Sequence, residues 1–332
     1  MARVFSGIQP SGELHIGNYL GAVQNWVKLQ HQHDCLFCVV DLHAITQAYD
    51  AASLAQRTVD MAIGLLAAGL EPERCTLFVQ SHVAEHTELS WFLNTVTPLG
   101  ELERQTQFKD KAQRLESVPA GLLNYPVLQA ADVLLYEATL VPVGEDQVQH
   151  LELMREITRR WNARFGDSAG FTFPEPQALL TSAKRVLGLN GQAKMSKSLG
   201  NTIGLLESPE AIWEKLRPAA TDPARVKRTD PGNPDVCNIF TIHQGFSAPD
   251  VQQTVAHNCR TAGWGCLDCK RVLADNMIAA LTPIRERATT LRAEPRKVTD
   301  ILRAGAAKAR AVARKTMVHV RRRMGFLEAA EA

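Results

Sequence analysis

Short apolar runs alternate with amphipathic stretches through the first half of the chain. Arg3 to Ser6 reads as a strand, followed by a glycine-punctuated turn and a helix from about His15 to Gln30, where Ile16, Tyr19, Leu20, Val23 and Val27 recur at helical spacing. Cys35 to Val40 is the next strand, a helix covers Ser53 to Ala68, Thr76 to Val79 is a third strand, and another helix begins near Glu85. This alternation predicts an α/β fold with a doubly wound, Rossmann-like parallel sheet, whose ligands lie outside the carboxyl ends of the strands. The loops GIQPSG and DLHAIT, after the first and second strands, are where such a fold puts its site.

From Gly100 to Leu135 the pattern turns helical and polar. Leu140 to Val143 then reads as the last strand, running through GEDQ into a long helix over Gln147 to Phe165, so the sheet carries an insertion at about residues 80–140. After Lys194 helices are separated by Pro and Gly, which places a boundary near Gly191. The predicted division is an α/β unit over 1–190, an all-helical unit over 191–284 and a C-terminal helix over 285–332. That last helix is crowded with Arg and Lys from Arg285 to Arg323 against only Glu286, Glu294 and Asp300. A solvated helix packed on the α/β unit and a contact with nucleic-acid phosphates both account for it.

Composition adds two constraints. A chain of 332 residues with 45% hydrophobic side chains buries a sizeable core, and 37 Lys and Arg against 35 Asp and Glu give a formal charge of only +2, so any nucleic-acid surface must be local. No apolar stretch near the N-terminus resembles a signal segment or membrane span, which points to a cytoplasmic protein whose seven cysteines are reduced, buried or metal-bound.

Two motifs carry chemistry. In Pro10-Ser11-Gly12-Glu13-Leu14-His15-Ile16-Gly17-Asn18, small residues let the backbone approach a ligand and a helix N-terminus faces it, while His15 and Asn18 offer short polar groups to phosphate or ribose oxygens. In Lys194-Met195-Ser196-Lys197-Ser198, two lysines on a glycine-flanked loop can converge on a polyphosphate and neutralise charge on a departing pyrophosphate. Alone, the first is most often an ordinary helix cap and the second a solvated basic loop; in this order on this fold they reinforce each other.

These blocks resemble the class I aminoacyl-tRNA synthetases, and FSGIQPSGELHIGNYLGA, VDLHAIT, GELERQTQFKDK, YPVLQAADVLLY, VPVGEDQ and AKMSKS look most like the bacterial tryptophanyl branch of that family. The resemblance implies ATP-dependent attachment of L-tryptophan to tRNA(Trp) through an adenylate, by a homodimer whose helical unit over 191–284 binds the anticodon. It implies that Gln9, Pro10, Ser11, Gly17 and Asn18 line the ATP site with Met195, Ser196 and Ser198, that Gly144, Glu145 and Asp146 hold the ribose, and that backbone near Val186 touches adenine. Lys111, Lys194 and Lys197 would meet the phosphates and their Mg2+, with His15 and Asn18 assisting. Asp132 would accept the indole N–H, which is a donor only. Phe5, Gly7, Val40, His43, Val141 and Val143 would wall the slot, and Tyr125 and Gln147 would hold the ammonium group. Gln129 stands where better-known bacterial members have Met, which puts the packing over the ring in question.

The cysteines divide. Cys35 and Cys38 are three apart on a strand and so point to opposite faces as core residues, and Cys75 lies at a strand entry. Cys237, Cys259, Cys266 and Cys269, separated by 21, six and two residues, have the number and softness for a tetrathiolate zinc or a [4Fe–4S] cluster. The family resemblance favours iron–sulfur, with zinc the alternative and His257 a weaker ligand. Three other activities share part of this pattern: a tyrosyl-tRNA synthetase, a non-catalytic paralogue that binds tRNA or protein, and an HxGH-type nucleotidylyltransferase, which would leave the second motif unexplained.

Overall fold

The computed structural model describes residues 1–113, 115–144, 147–167, 170–180, 186–192, 195 and 199–327. Strands β1 (Arg3–Ile8), β2 (Asp34–Val39), β3 (Cys75–Val79), β4 (Leu140–Val143) and β5 (Gln177–Leu180) form a parallel sheet in the order β3-β2-β1-β4-β5. The central strand β2 reads DCLFCV because both of its faces are covered: Cys35, Phe37 and Val39 enter one core, Leu36 and Cys38 the other. Cys35 and Cys38 therefore do face opposite ways, and Cys75 is buried at the start of β3.

Crossovers are helical. Between β1 and β2 lie α1 (Ile16–Asn18), a π-helical turn (Tyr19–Val23) and α2 (Gln24–Leu29); between β2 and β3 lie α3 (Asp41–Ala44) and α4 (Ala51–Ala67). The connection from β3 to β4 holds α5 (Glu85–Asn94), α6 (Leu99–Glu103), α7 (Thr106–Ala112) and α8 (Ala120–Leu134), and α9 (Val148–Phe165) joins β4 to β5. The chain continues through α10 (Pro209–Leu216), α11 (Asn238–Phe246), α12 (Pro249–Arg260), α13 (Cys266–Ala293) and α14 (Pro295–Arg323). Among the described residues no helix is long and apolar enough to cross a membrane.

Three details depart from the sequence reading. The helix expected over His15 to Gln30 is interrupted by the π turn, after which Trp26 and Leu29 are buried and Val27 is only half-buried. The last strand is β5, four residues directly after Pro174 and Pro176, so β4 is not the end of the sheet. The basic C-terminal segment is two helices, because Pro295 disfavours helical backbone at Glu294 (φ −121°, ψ 60°); the boundary placed at 285 falls inside α13.

Helix α14 covers the open edge of the sheet. Val298 and Leu302 enter one core, Ala306, Ala309, Ala313, Met317 and Val320 the other. The approach to β3 is so close that a Cβ on Gly305 would stand 1.9 Å from the Leu77 carbonyl oxygen, which requires glycine there. Basic residues of the helix tie it down: Arg321 pairs with Glu88, Arg323 with Asp167, and Arg310 donates to the His82 carbonyl. Part of its charge is thus structural, and the rest is exposed.

Candidate active site

Strand order reverses at β1 and β4, which pair at Val4 and Leu140, so the loops after Ile8 and Val143 open at the switch point of the sheet. The two sequence motifs meet there. A Cβ on Gly17 would stand 3.3 Å from the Met195 sulfur and 3.0 Å from the His15 ring, so glycine lets the second loop dock on the first helical turn. The strand-like segment after that loop continues the contact: Ile16 N–H donates to the Ile203 carbonyl (3.0 Å) and Leu205 N–H to the Leu14 carbonyl (2.7 Å). His15 caps α1, its Nδ1 accepting from Asn18 N–H while Asn18 Oδ1 accepts from His15 N–H, both at 3.3 Å. In the neutral ring that leaves the proton on Nε2, so His15 is a cap and also a donor. Gln9 and Ser11 are exposed at the loop, Pro10 is buried, and Gly144 is exposed after β4. Val186 is packed in the core, and the adjoining Leu187 N–H donates to Asn238. Glu145, Asp146, Lys194, Ser196, Lys197 and Ser198 lie outside the described residues.

A second cluster of the expected residues is built around a buried acid. Asp132, on α8 and 2% exposed, has Oδ2 2.8 Å from His43 Nε2. Its Oδ1 lies 2.7 Å from His86 Nδ1 and accepts from Gln80 Nε2 at 2.6 Å. Burial pushes its pKa up, but the hydrogen bonds and charge of His43 and His86 outweigh that and hold the carboxyl well below the usual carboxylate range. An ionised carboxylate can only accept, so the facing nitrogens of His43 and His86 are donors.

The neighbouring expected residues assemble about it. Tyr125 sits two helical turns before Asp132, its ring edge-on to His43 with centroids 6.4 Å apart. Its hydroxyl lies 2.8 Å from His150 Nε2 and donates to Gln107 at 3.3 Å, and burial pushes its pKa up to about 12. Lys111, expected at the phosphates, has its ammonium 4.9 Å from the Tyr125 ring centre, beside the amino-acid residues, and burial lowers its pKa. A Cβ on Gly7 would meet Val40 at 2.7 Å, so the two form one wall. Phe5 stacks on Tyr136 and is buried with Val141 and Val143 in the same core. Gln129 is half-buried one turn before Asp132, and Gln147 is half-buried with its N–H donating to the Gly144 carbonyl. The sequence reading missed Gln80, His86 and Tyr136. For Gln80 and Tyr136 the one signal is a polar group ending an apolar run, as in TLFVQ and VLLY; His86, in the polar stretch AEHTE, carries none.

Cys237, Cys259, Cys266 and Cys269 line one cavity with Arg225, Asp222 and Trp264. The thiols feel one another: the Cys269 thiol is pushed up to about 12, first by burial and then by the other three cysteines. Among the described residues no three His, Cys, Asp or Glu side chains converge closely enough to hold a single metal ion. His257 is exposed and is not part of this cavity wall.

The family model for class I tRNA synthetases (W and Y) matches residues 1–282. A tryptophan–tRNA ligase of Deinococcus radiodurans is 57% identical over 99% of this chain and 100% of its own length, and one of Gloeobacter violaceus is 48% identical over 98% and 96%. The structure of a tryptophanyl-tRNA synthetase from Campylobacter jejuni, described as a complex with ADP and tryptophan, superposes with a TM-score of 0.86 at 35% identity over 98% of this chain and 100% of its own. With Met195 of the second motif against Gly17 of the first at the switch point, and full-length likeness to these ligases, the chain belongs to the class I tRNA synthetases, among the bacterial tryptophan–tRNA ligases.

Proposed function

We propose that this ligase reads tryptophan through Asp132 and activates it at the crossing of the two motif loops. The observation that carries the reading is the Asp132 carboxylate, buried and ionised with no Lys or Arg partner among the described residues, held instead by neutral-capable donors. The indole N–H matches its remaining lone pair. A side chain without that donor leaves the acceptor unmatched, a far larger penalty than a missing methylene. Val40, Val141, Val143 and Phe5 wall the slot, with Gly7 set against Val40 and Gln129 over the ring. His43 orients the acid, and Tyr125 and Gln147 hold the ammonium group.

In the chemical step the tryptophan carboxylate attacks the α-phosphorus of ATP and pyrophosphate leaves; a hydroxyl of the terminal adenosine of tRNA(Trp) then attacks the adenylate's acyl carbon and AMP leaves. No enzyme nucleophile is needed, so positioning and charge dominate. Gln9, Pro10, Ser11, Gly17 and Asn18 line the nucleotide, Gly144, Glu145 and Asp146 hold the ribose, and backbone near Val186 touches adenine. His15 donates through Nε2. Lys111, Lys194 and Lys197, with Met195, Ser196 and Ser198 shaping the loop, meet the phosphates and their Mg2+. The Campylobacter structure, described with ADP and tryptophan together, supports joining the two half-sites in one cleft.

We assign the four cysteines to a [4Fe–4S] cluster on the family likeness, with zinc the alternative. The four thiols line one cavity, and their number and softness suit either group. When bound, the cluster would cross-link α11, α12 and α13 and stiffen the helical region, or help it dock on tRNA. Protein purified without oxygen is expected to show broad visible absorbance with about four iron per chain. Colourless protein with stoichiometric zinc would assign zinc instead.

We place the homodimer contact on the face of residues 80–140, where Trp91 and Leu99 stand 69% and 59% exposed in the single chain. Sedimentation should give twice the 36.6 kDa chain mass, and a monomer at micromolar concentration would contradict it.

A further inference from the structure

Asp132 is not held symmetrically, and the asymmetry assigns its two oxygens different work. Gln80, wholly buried at the end of β3, takes the Leu42 N–H on its Oε1 (3.1 Å), which fixes its amide so that Nε2 faces Asp132 Oδ1. His86, also wholly buried on α5, donates from Nδ1 to the same Oδ1, and its Nε2 lies 2.8 Å from the Tyr136 hydroxyl. In the neutral ring the Tyr136 O–H donates to Nε2 and so selects the tautomer that carries its proton on Nδ1. Oδ1 thus accepts two hydrogen bonds and is saturated, whereas Oδ2 accepts one, from His43.

We propose that Gln80, His86 and Tyr136 are positioning residues for tryptophan selection: they anchor Oδ1 of Asp132 so that the second lone pair of Oδ2 is fixed toward the indole N–H. This rests on the reading of Asp132 as the indole acceptor. The support reaches the acid from three elements: the turn after β3, α5, and the segment after α8, where Tyr136 is clamped between the Phe5 and Phe78 rings. Four titratable groups face the carboxylate, namely His43, His86, Tyr136 and the Cys38 thiol of β2. Only the first two donate to it directly. Without His86 the carboxyl loses one of the two histidines that hold its pKa down against burial, so its pKa rises and protonation begins at a higher pH than in the wild type.

The test uses two substrates that differ in one atom: L-tryptophan and its benzothiophene isostere, in which sulfur replaces the N–H. Wild-type enzyme should prefer tryptophan in kcat/KM by about a thousandfold or more. His86→Leu should compress that ratio to about tenfold through KM for tryptophan, leaving KM for ATP unchanged. It should also make KM for tryptophan begin to rise at a higher pH than in wild type as the pH falls. His86→Asn, whose amide can donate from the position of Nδ1, should restore most of both. Tyr136→Phe, which removes only the hydroxyl, should show the same trend at about a tenth of the effect and serves if the leucine variant does not fold. An unchanged ratio in His86→Leu and Tyr136→Phe, beside normal wild-type discrimination, would overturn the positioning role alone. No discrimination by wild type would instead overturn the indole reading beneath it.

Discussion

Asp132→Asn is expected to lower kcat/KM for tryptophan by between roughly a hundredfold and a few thousandfold, while KM for ATP stays within about twofold. The carboxylate receives three donors inside a 2% exposed site. An amide in its place turns an NH2 group toward some of them, so donor faces donor where water cannot enter. A hydrogen bond to a charged group contributes about 1.5–3 kcal/mol, the amide spoils those from His43 and the indole, and about 1.4 kcal/mol is a factor of ten. The loss falls on tryptophan because the acid contacts no residue expected at the nucleotide. Steady-state pyrophosphate exchange, varying tryptophan and ATP separately, measures the split. Equal losses for both substrates would show that Asp132 supports the fold and does not read the indole.

Lys194→Ala is expected to slow tryptophan activation by about a hundredfold to a thousandfold, the scale for removing one preorganised group from developing charge. Met195 is 4% exposed and rests against Gly17, and its sequence neighbour Lys194 is proposed at the phosphates. A contact that strengthens as pyrophosphate departs should lower kcat and leave tryptophan affinity within a few-fold. Pre-steady-state formation of the adenylate, with tryptophan binding followed by fluorescence, separates the two. An unchanged activation rate would remove Lys194 from the transition state.

Much of the sheet was legible in the sequence because parallel strands covered on both sides are apolar throughout, as in CLFCVV and TLFV. β5 escaped because four residues behind two prolines carry too little pattern, and the break at Glu294 escaped because helical periodicity runs on through Pro295 on either side. The motif loops were readable since their chemistry is local. The floor of the amino-acid site was only half readable. Asp132 and His43 came from the family likeness, but Gln80, His86 and Tyr136 act through contacts 52, 46 and 50 residues distant in the chain, between groups that no short motif links. The cysteines show the same limit: their spacing suggested one site, and only the fold brings Cys237 to the cavity shared with the other three.

The central claim is that this site selects tryptophan by its indole N–H and activates it with ATP. Its most direct test is pyrophosphate exchange by the wild-type enzyme with tryptophan, tyrosine and phenylalanine in turn. The structure predicts rapid exchange with tryptophan and rates lower by about four orders of magnitude with phenylalanine, which has no donor for Asp132. Exchange driven by tyrosine alone, or equally by phenylalanine, would contradict it.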